Sequence, residues 1–189
     1  MRNQFIGRAA SGALVVVCLA TVASAQTPPP PPAVEKPTYV TIPLEITVNR
    51  PIAEVWKRIG GYCQIGDWIP TTCTILSGKD NEVGAVRSLA SEIMVAKTEY
   101  SYTYTQPVRV GRPFNAYHGT LEARALTPTT TKLLYTLFFD NSMLADDGAR
   151  EKDIANRTAM FTRFLQNMKT IGEGGTLPSA PARGAPSAR

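Results

Sequence analysis

The stretch from Gly148 to Ile171 constrains the fold most, because Ile154, Thr158, Phe161, Leu165 and Met168 recur on one helical stripe that Phe164 and Ile171 widen. A long helix with a single apolar face needs another layer to cover it. The chain before it offers strands. Tyr39, Thr41, Leu44, Ile46 and Val48 lie in an extended, β-branched run interrupted by Pro43, which predicts an edge strand or an irregular start. Asn49-Arg50-Pro51 then puts proline at the first helical position, and Ile52, Val55, Trp56 and Ile59 follow at helical spacing until Gly60-Gly61. Residues 62–70, with Trp68 and Pro70, read as a second short helix or a compact loop. Cys73–Leu76 and Gly84–Leu89 read as the two arms of a hairpin around Gly78-Lys-Asp-Asn. From Glu92 to Thr105 strand formers dominate, and a period of two sends Tyr100, Tyr102 and Tyr104 to one face. Residues 114–126 and 131–140 make two more strands joined across Thr127-Pro128-Thr129. Such short connections predict an antiparallel sheet. The expected class is α+β, with two short helices after strand one and a long C-terminal helix over the sheet.

The ends read differently. Arg2 and Arg8, an apolar run from Ala13 to Ala23 and Ala23-Ser24-Ala25 before Gln26 have the form of a secretory signal peptide over residues 1–25. An N-terminal membrane anchor that is never cut is the alternative. Cys18 lies inside the run after Val17, which does not suit a lipoprotein signal. Residues 26–38 carry five consecutive prolines and read as an extended linker, 39–172 as the folded domain, and 173–189 as a Pro/Gly-rich disordered tail. The expected location is exported, periplasmic or secreted. The net charge of +5 includes two arginines of the leader. No Lys/Arg stripe or block remains to favour nucleic acid or an anionic membrane, and no stable membrane insertion is expected once the signal is cut. Cys63 and Cys73 form either a disulfide, as an oxidising compartment favours, or a pair of buried thiols. With one histidine, no CxxC spacing, no EF-hand spacing and no phosphate loop, neither a metal nor a cofactor is expected.

Three short elements resemble those of a known superfamily. Ile46–Trp56 (I-T-V-N-R-P-I-A-E-V-W) is similar to the opening strand and helix start of the START-like helix-grip (SRPBCC, polyketide cyclase-like) domains. Asp67-Trp68-Ile69-Pro70 and Gly84-Ala85-Val86-Arg87 resemble two further elements of that pattern in the same order. With the closing helix the resemblance spans residues 39–171. It implies a strongly curved sheet gripping the C-terminal helix around an internal cavity for an apolar or amphipathic small molecule, lipid-like or aromatic. This chain departs from the pattern where Glu92–Glu99 runs quickly into the tyrosines, which would alter the cavity or its mouth.

Candidate ligand-binding residues follow. Tyr100, Tyr102 and Tyr104 can present rings and hydroxyls to a cavity, or pack as ordinary sheet aromatics. Tyr117 and Tyr135 lie on neighbouring strands; His118 must point oppositely to Tyr117. Trp68 and Trp56 read as core or cavity wall. Arg87 can anchor a carboxylate or phosphate, or pair with Glu92 or Glu122. His118 and Arg87 are the weak catalytic candidates, His118 as the lone acid-base group near neutral pH and otherwise as a hydrogen-bonded strand residue. The leading expectation is an exported small-molecule binding protein. The alternatives are a polyketide cyclase- or hydratase-like enzyme that polarises a carbonyl with Arg87, His118 or a tyrosine, and an accessory protein docking on a periplasmic enzyme through an apolar patch. The sequence contains no nucleophile-base-orienter set.

Overall fold

Tyr39–Val48 forms β1, Ile52–Ile59 α1, and a 3-10 turn at Tyr62–Gln64 runs into α2 at Ile65–Trp68. Next come β2 (Ile75–Ser77), β3 (Val86–Arg87), β4 (Glu92–Thr98), β5 (Ser101–Thr105), β6 (Asn115–Thr127), β7 (Thr130–Asp140) and α3 (Asp147–Gly172). This computed structural model describes residues 34–178; the predicted signal peptide, the five consecutive prolines of the linker and the tail from residue 179 lie outside the described residues. The strands make one antiparallel sheet in the order β1-β7-β6-β5-β4-β3-β2, so β1 and β2 are its two edges. The sheet is curved and unclosed, and α3 lies against its inner face.

Alternation decides which side chains meet the helix. Along β7, Thr131, Leu133, Tyr135, Leu137 and Phe139 are all buried and the residues between them are half-exposed. Leu121 and Ala123 on β6, Tyr102 and Tyr104 on β5, and Met94 on β4 continue that inner surface. Phe161, Leu165 and Met168 of α3 pack onto it, as their stripe predicts. Asp146 caps the helix by accepting from the Ala149 amide at 2.7 Å. Pro43 does fall in the edge strand, in unbroken register with Thr136.

Three local expectations shift. The run from Glu92 to Thr105 folds back on itself: Thr98 faces Ser101, and Glu99-Tyr100 make the turn. No glycine or asparagine marks that turn; instead the hydroxyls of Thr98 and Ser101 meet across it at 2.7 Å. The β2–β3 arms are shorter than predicted, and Cys73 stands outside the ladder in a disulfide. Ser88 and Thr74 extend the pairing irregularly, the Ser88 amide donating to Thr74 O at 2.8 Å. At the other end Glu173, expected in the tail, closes α3: its carboxylate accepts from the Asn49 amide at 2.9 Å and from Lys169 Nζ at 2.6 Å.

Cys63 and Cys73 are joined, with Cα atoms 5.3 Å apart, which removes the free-thiol alternative. The bond staples the segment carrying α2 to itself. Replacing both cysteines by serine should lower the unfolding free energy by roughly 2–3 kcal/mol, the chain-entropy value for a loop this short. Urea titration with and without reductant measures it; coincident curves would show that the bond constrains little.

Candidate ligand pocket between the sheet and the C-terminal helix

A pocket of about 270 Å³ opens between the inner face of the sheet, α2 and the first half of α3. Its floor is buried and mostly aromatic: Trp68, Tyr104, Tyr117 and Tyr135. Ile65 and Ile69 close one side, Met160, Phe161 and Phe164 the helix side, and Leu89, Phe114 and Arg112 the more exposed end. Its volume lies just under the range of about 300–1,000 Å³ typical of small-molecule sites.

Local sequence sets this floor. Tyr104 turns inward on β5 opposite Gly119 of β6, where an added Cβ would lie 2.4 Å from the ring. The missing side chain lets the phenol lie flat across the neighbouring strand and reach Tyr135, the two hydroxyls meeting at 2.9 Å. A register shift between Asn115 and His118, with Ala116 at a φ of 48°, sets Tyr117 at the β6 end of the floor. The turn after β3 also carries strain, with Ala90 and Ser91 both in the left-handed region. Arg109 holds it by donating to Ala90 O at 3.1 Å and Ser91 Oγ at 2.8 Å.

A buried ion pair borders the pocket, with Glu92 in its lining. Arg87 Nε donates to Glu92 Oε2 at 2.7 Å, Nη2 stands 2.6 Å from the same oxygen as a close ion-pair contact, and Nη1 donates to Tyr62 O at 2.6 Å. The other carboxylate oxygen accepts from Gln106 Nε2 at 2.9 Å. The guanidinium lies 4.2 Å from the Tyr62 ring centre and 4.8 Å from that of Tyr104. Burial pushes the Glu92 carboxyl up, against the opposing pull of Arg87 and Gln106. Arg87, though desolvated, is held more firmly protonated by the phenols and Glu92 around it. Burial likewise pushes the phenols up, Tyr117 to about 12 and Tyr104 and Tyr135 well above their usual value. All stay neutral hydrogen-bonding groups at ordinary pH.

The predicted site residues therefore separate. Trp68, Tyr104, Tyr117 and Tyr135 converge on the pocket. Tyr102 is buried beside them but packs on Tyr62 and Trp56, outside the pocket lining. Tyr100 leaves the shared face because it stands in the β4–β5 turn, edge-on to Trp56. Arg87 is committed to Glu92, one of the two partners expected for it; Glu122 instead pairs with Arg124 on the outer surface. His118 points away from Tyr117 to the outer face, its Nδ1 3.0 Å from Ala116 O and its ring against Phe138. The sequence reading did not single out Arg157, Arg112, Gln106, Phe114 or Met160. Gly119, a glycine inside a strand, marks the close approach of Tyr104 and points to none of these. Arg157 pairs with Asp153, four residues before it on α3. Among the described residues no cluster of His, Cys, Asp and Glu could hold a metal ion.

A long helix gripped by a curved antiparallel sheet, with an aromatic pocket between them, defines a helix-grip domain. The chain belongs to the family of polyketide cyclase / dehydrase and lipid transport proteins, whose model matches residues 39–173. Similar solved structures include one from Thermobifida fusca, at 20% identity over 73% of this chain and 97% of that chain with a TM-score of 0.59. Another, from Nitrosospira multiformis, is 20% identical over 69% of this chain and 94% of its own, with a TM-score of 0.55. The ZhuI aromatase/cyclase of Streptomyces sp. R1128 is 18% identical over 74% of this chain and all of its own, at a TM-score of 0.53. No curated protein matches the chain.

Proposed function

We propose that this protein binds an apolar or amphipathic small molecule in the pocket over Tyr104, Tyr117 and Tyr135, and does so after export. The observation that carries the reading is the convergence of four buried aromatic side chains with polar tips on one space beneath α3. Export rests on the leader-like residues 1–25 and on a disulfide, which persists in oxidising compartments. No described helix is long and apolar enough to cross a membrane. An apolar fluorescent probe should bind with saturable, one-to-one stoichiometry. Tyr104→Ala should weaken it at least several-fold, whereas Thr103→Ala should leave it unchanged, because Thr103 bonds Thr120 on the outer face at 2.9 Å. Equal effects from these adjacent positions would sink the reading.

The Tyr104–Tyr135 phenol pair favours a second, enzymatic reading. One neutral hydroxyl donates to the other and leaves a proton free to polarise a bound carbonyl, as a cyclase or hydratase step requires. Tyr135→Phe separates the two: it should abolish turnover if that proton is used and only modestly change binding if it is not.

A further inference from the structure

Beyond Glu92, which is already paired, the charged side chains in the pocket lining are two arginines. Arg157 reaches in from α3 with its guanidinium 4.5 Å from the Phe139 ring centre, 4.7 Å from that of Phe114 and 5.6 Å from that of Tyr117. Its side chain is only 13% exposed. Only Nε is engaged, donating to both Asp153 oxygens at 3.0 and 2.9 Å; among the described residues Nη1 and Nη2 have no protein acceptor. Trp68, fully buried and part of the same wall, has an indole N–H without a partner among the described residues. Arg112 adds a second guanidinium at the exposed end, 6.0 Å from the Phe114 ring centre. The one carboxylate in the lining is spent: both oxygens of Glu92 are taken, by Arg87 and Gln106. The Trp68 indole N–H is a buried donor left unfilled, which is costly, and the Arg157 Nη groups are free to donate, so a ligand that supplies acceptors gains more here than one that does not.

We propose that the pocket selects a small, flat apolar molecule carrying a carboxylate, with the carboxylate taken by the free edge of Arg157 and assisted by Arg112. This rests on the ligand-binding reading of the pocket and adds the charge and shape of the ligand. The two Nη groups offer parallel donors that match the two oxygens of a planar carboxylate. The aromatic walls favour a planar body. A cation meets two arginines, and a neutral ligand leaves Arg157 desolvated and half-paired. The role expected of Arg87 thus passes to Arg157, because all three nitrogens of Arg87 face Glu92 or Tyr62 O whereas Arg157 keeps both Nη groups free of protein acceptors among the described residues.

The test is calorimetric titration of the full chain, purified as exported, with three probes that share one ring system: 2-naphthoate, 2-naphthylmethanol and 2-naphthylmethylamine. The expected order is acid over alcohol by about tenfold or more, which is about 1.4 kcal/mol, with the amine weakest. Arg157→Gln should collapse the acid-to-alcohol ratio towards one. Asp153→Asn removes the competing carboxylate and should raise that ratio, so it decides the matter even if Arg157→Gln fails to fold. Acid and alcohol binding equally well in the wild type would leave the pocket reading standing and overturn the selection for an anion. A ratio unchanged or lowered in Asp153→Asn would overturn it as well. Failure of all three probes to bind would overturn the pocket reading together with this one.

Discussion

Replacing Glu92 by leucine is expected to lower the unfolding free energy by about 3–5 kcal/mol, enough to bring a domain of ordinary stability close to unfolding. The change strands the Arg87 guanidinium, which is fully buried and pairs with no other carboxylate among the described residues. Gln106 loses its acceptor at the same stroke. The compensating experiment is the double change Arg87→Met with Glu92→Leu, which takes both charges out of the interior and should recover most of the loss. Urea unfolding of the two single variants and the double gives the coupling directly. Single variants that cost about 1 kcal/mol or less would mean that the pair is better solvated than its packing under Tyr62 and Tyr104 implies.

Alkaline titration should produce the largest effect of all. Burial is the leading cause that raises the phenols of Tyr62, Tyr102, Tyr104, Tyr117 and Tyr135 above the ordinary value of 10.0. Below pH 10 both the folded and the unfolded chain keep these protons, and the stability from burying the neutral rings is fully present. As pH rises from there towards the folded values, the unfolded chain releases protons that the native one retains. Each phenol then removes up to about 1.4 kcal/mol per pH unit, roughly 7 kcal/mol for five together. Phenolate absorbance from the buried rings should therefore appear in one cooperative step, coincident with loss of circular dichroism. Gradual ionisation of all the tyrosines near pH 10 with the fold intact would contradict their burial.

The fold was legible because its two periodicities are strong. A 3.6-residue stripe ending at Ile171 and a two-residue alternation through Tyr102 and Tyr104 each name a face, and the faces must meet. Proline at the head of α1 and Gly60 at its end bounded the first helix in the same way. What escaped was decided across the chain rather than along it. Tyr100 obeys the alternation in sequence, yet the backbone reverses there with only threonine, glutamate and serine to mark it. Arg87 and Arg157 look alike as isolated arginines; only the sheet register, which sets Arg87 beside Glu92, and the helix phase, which aims Arg157 at Phe114 and Phe139, give them different tasks. Tyr117 and His118 were separable in principle, since adjacent strand residues face opposite ways, but which faced inward depended on the bulge at Ala116.

An unclosed sheet has two free borders, and β1, ten residues long, is the more exposed to recruitment by another extended chain. Pro43 stands midway along it, exposed to solvent and paired to Thr136 without disturbing the register, so the missing amide falls on the outward side. A second molecule trying to zip onto that border would meet a gap in the donor row and a ring in the way. One imino acid, tolerated because the inner neighbour never needed its hydrogen, thereby makes strand addition along that border less favourable.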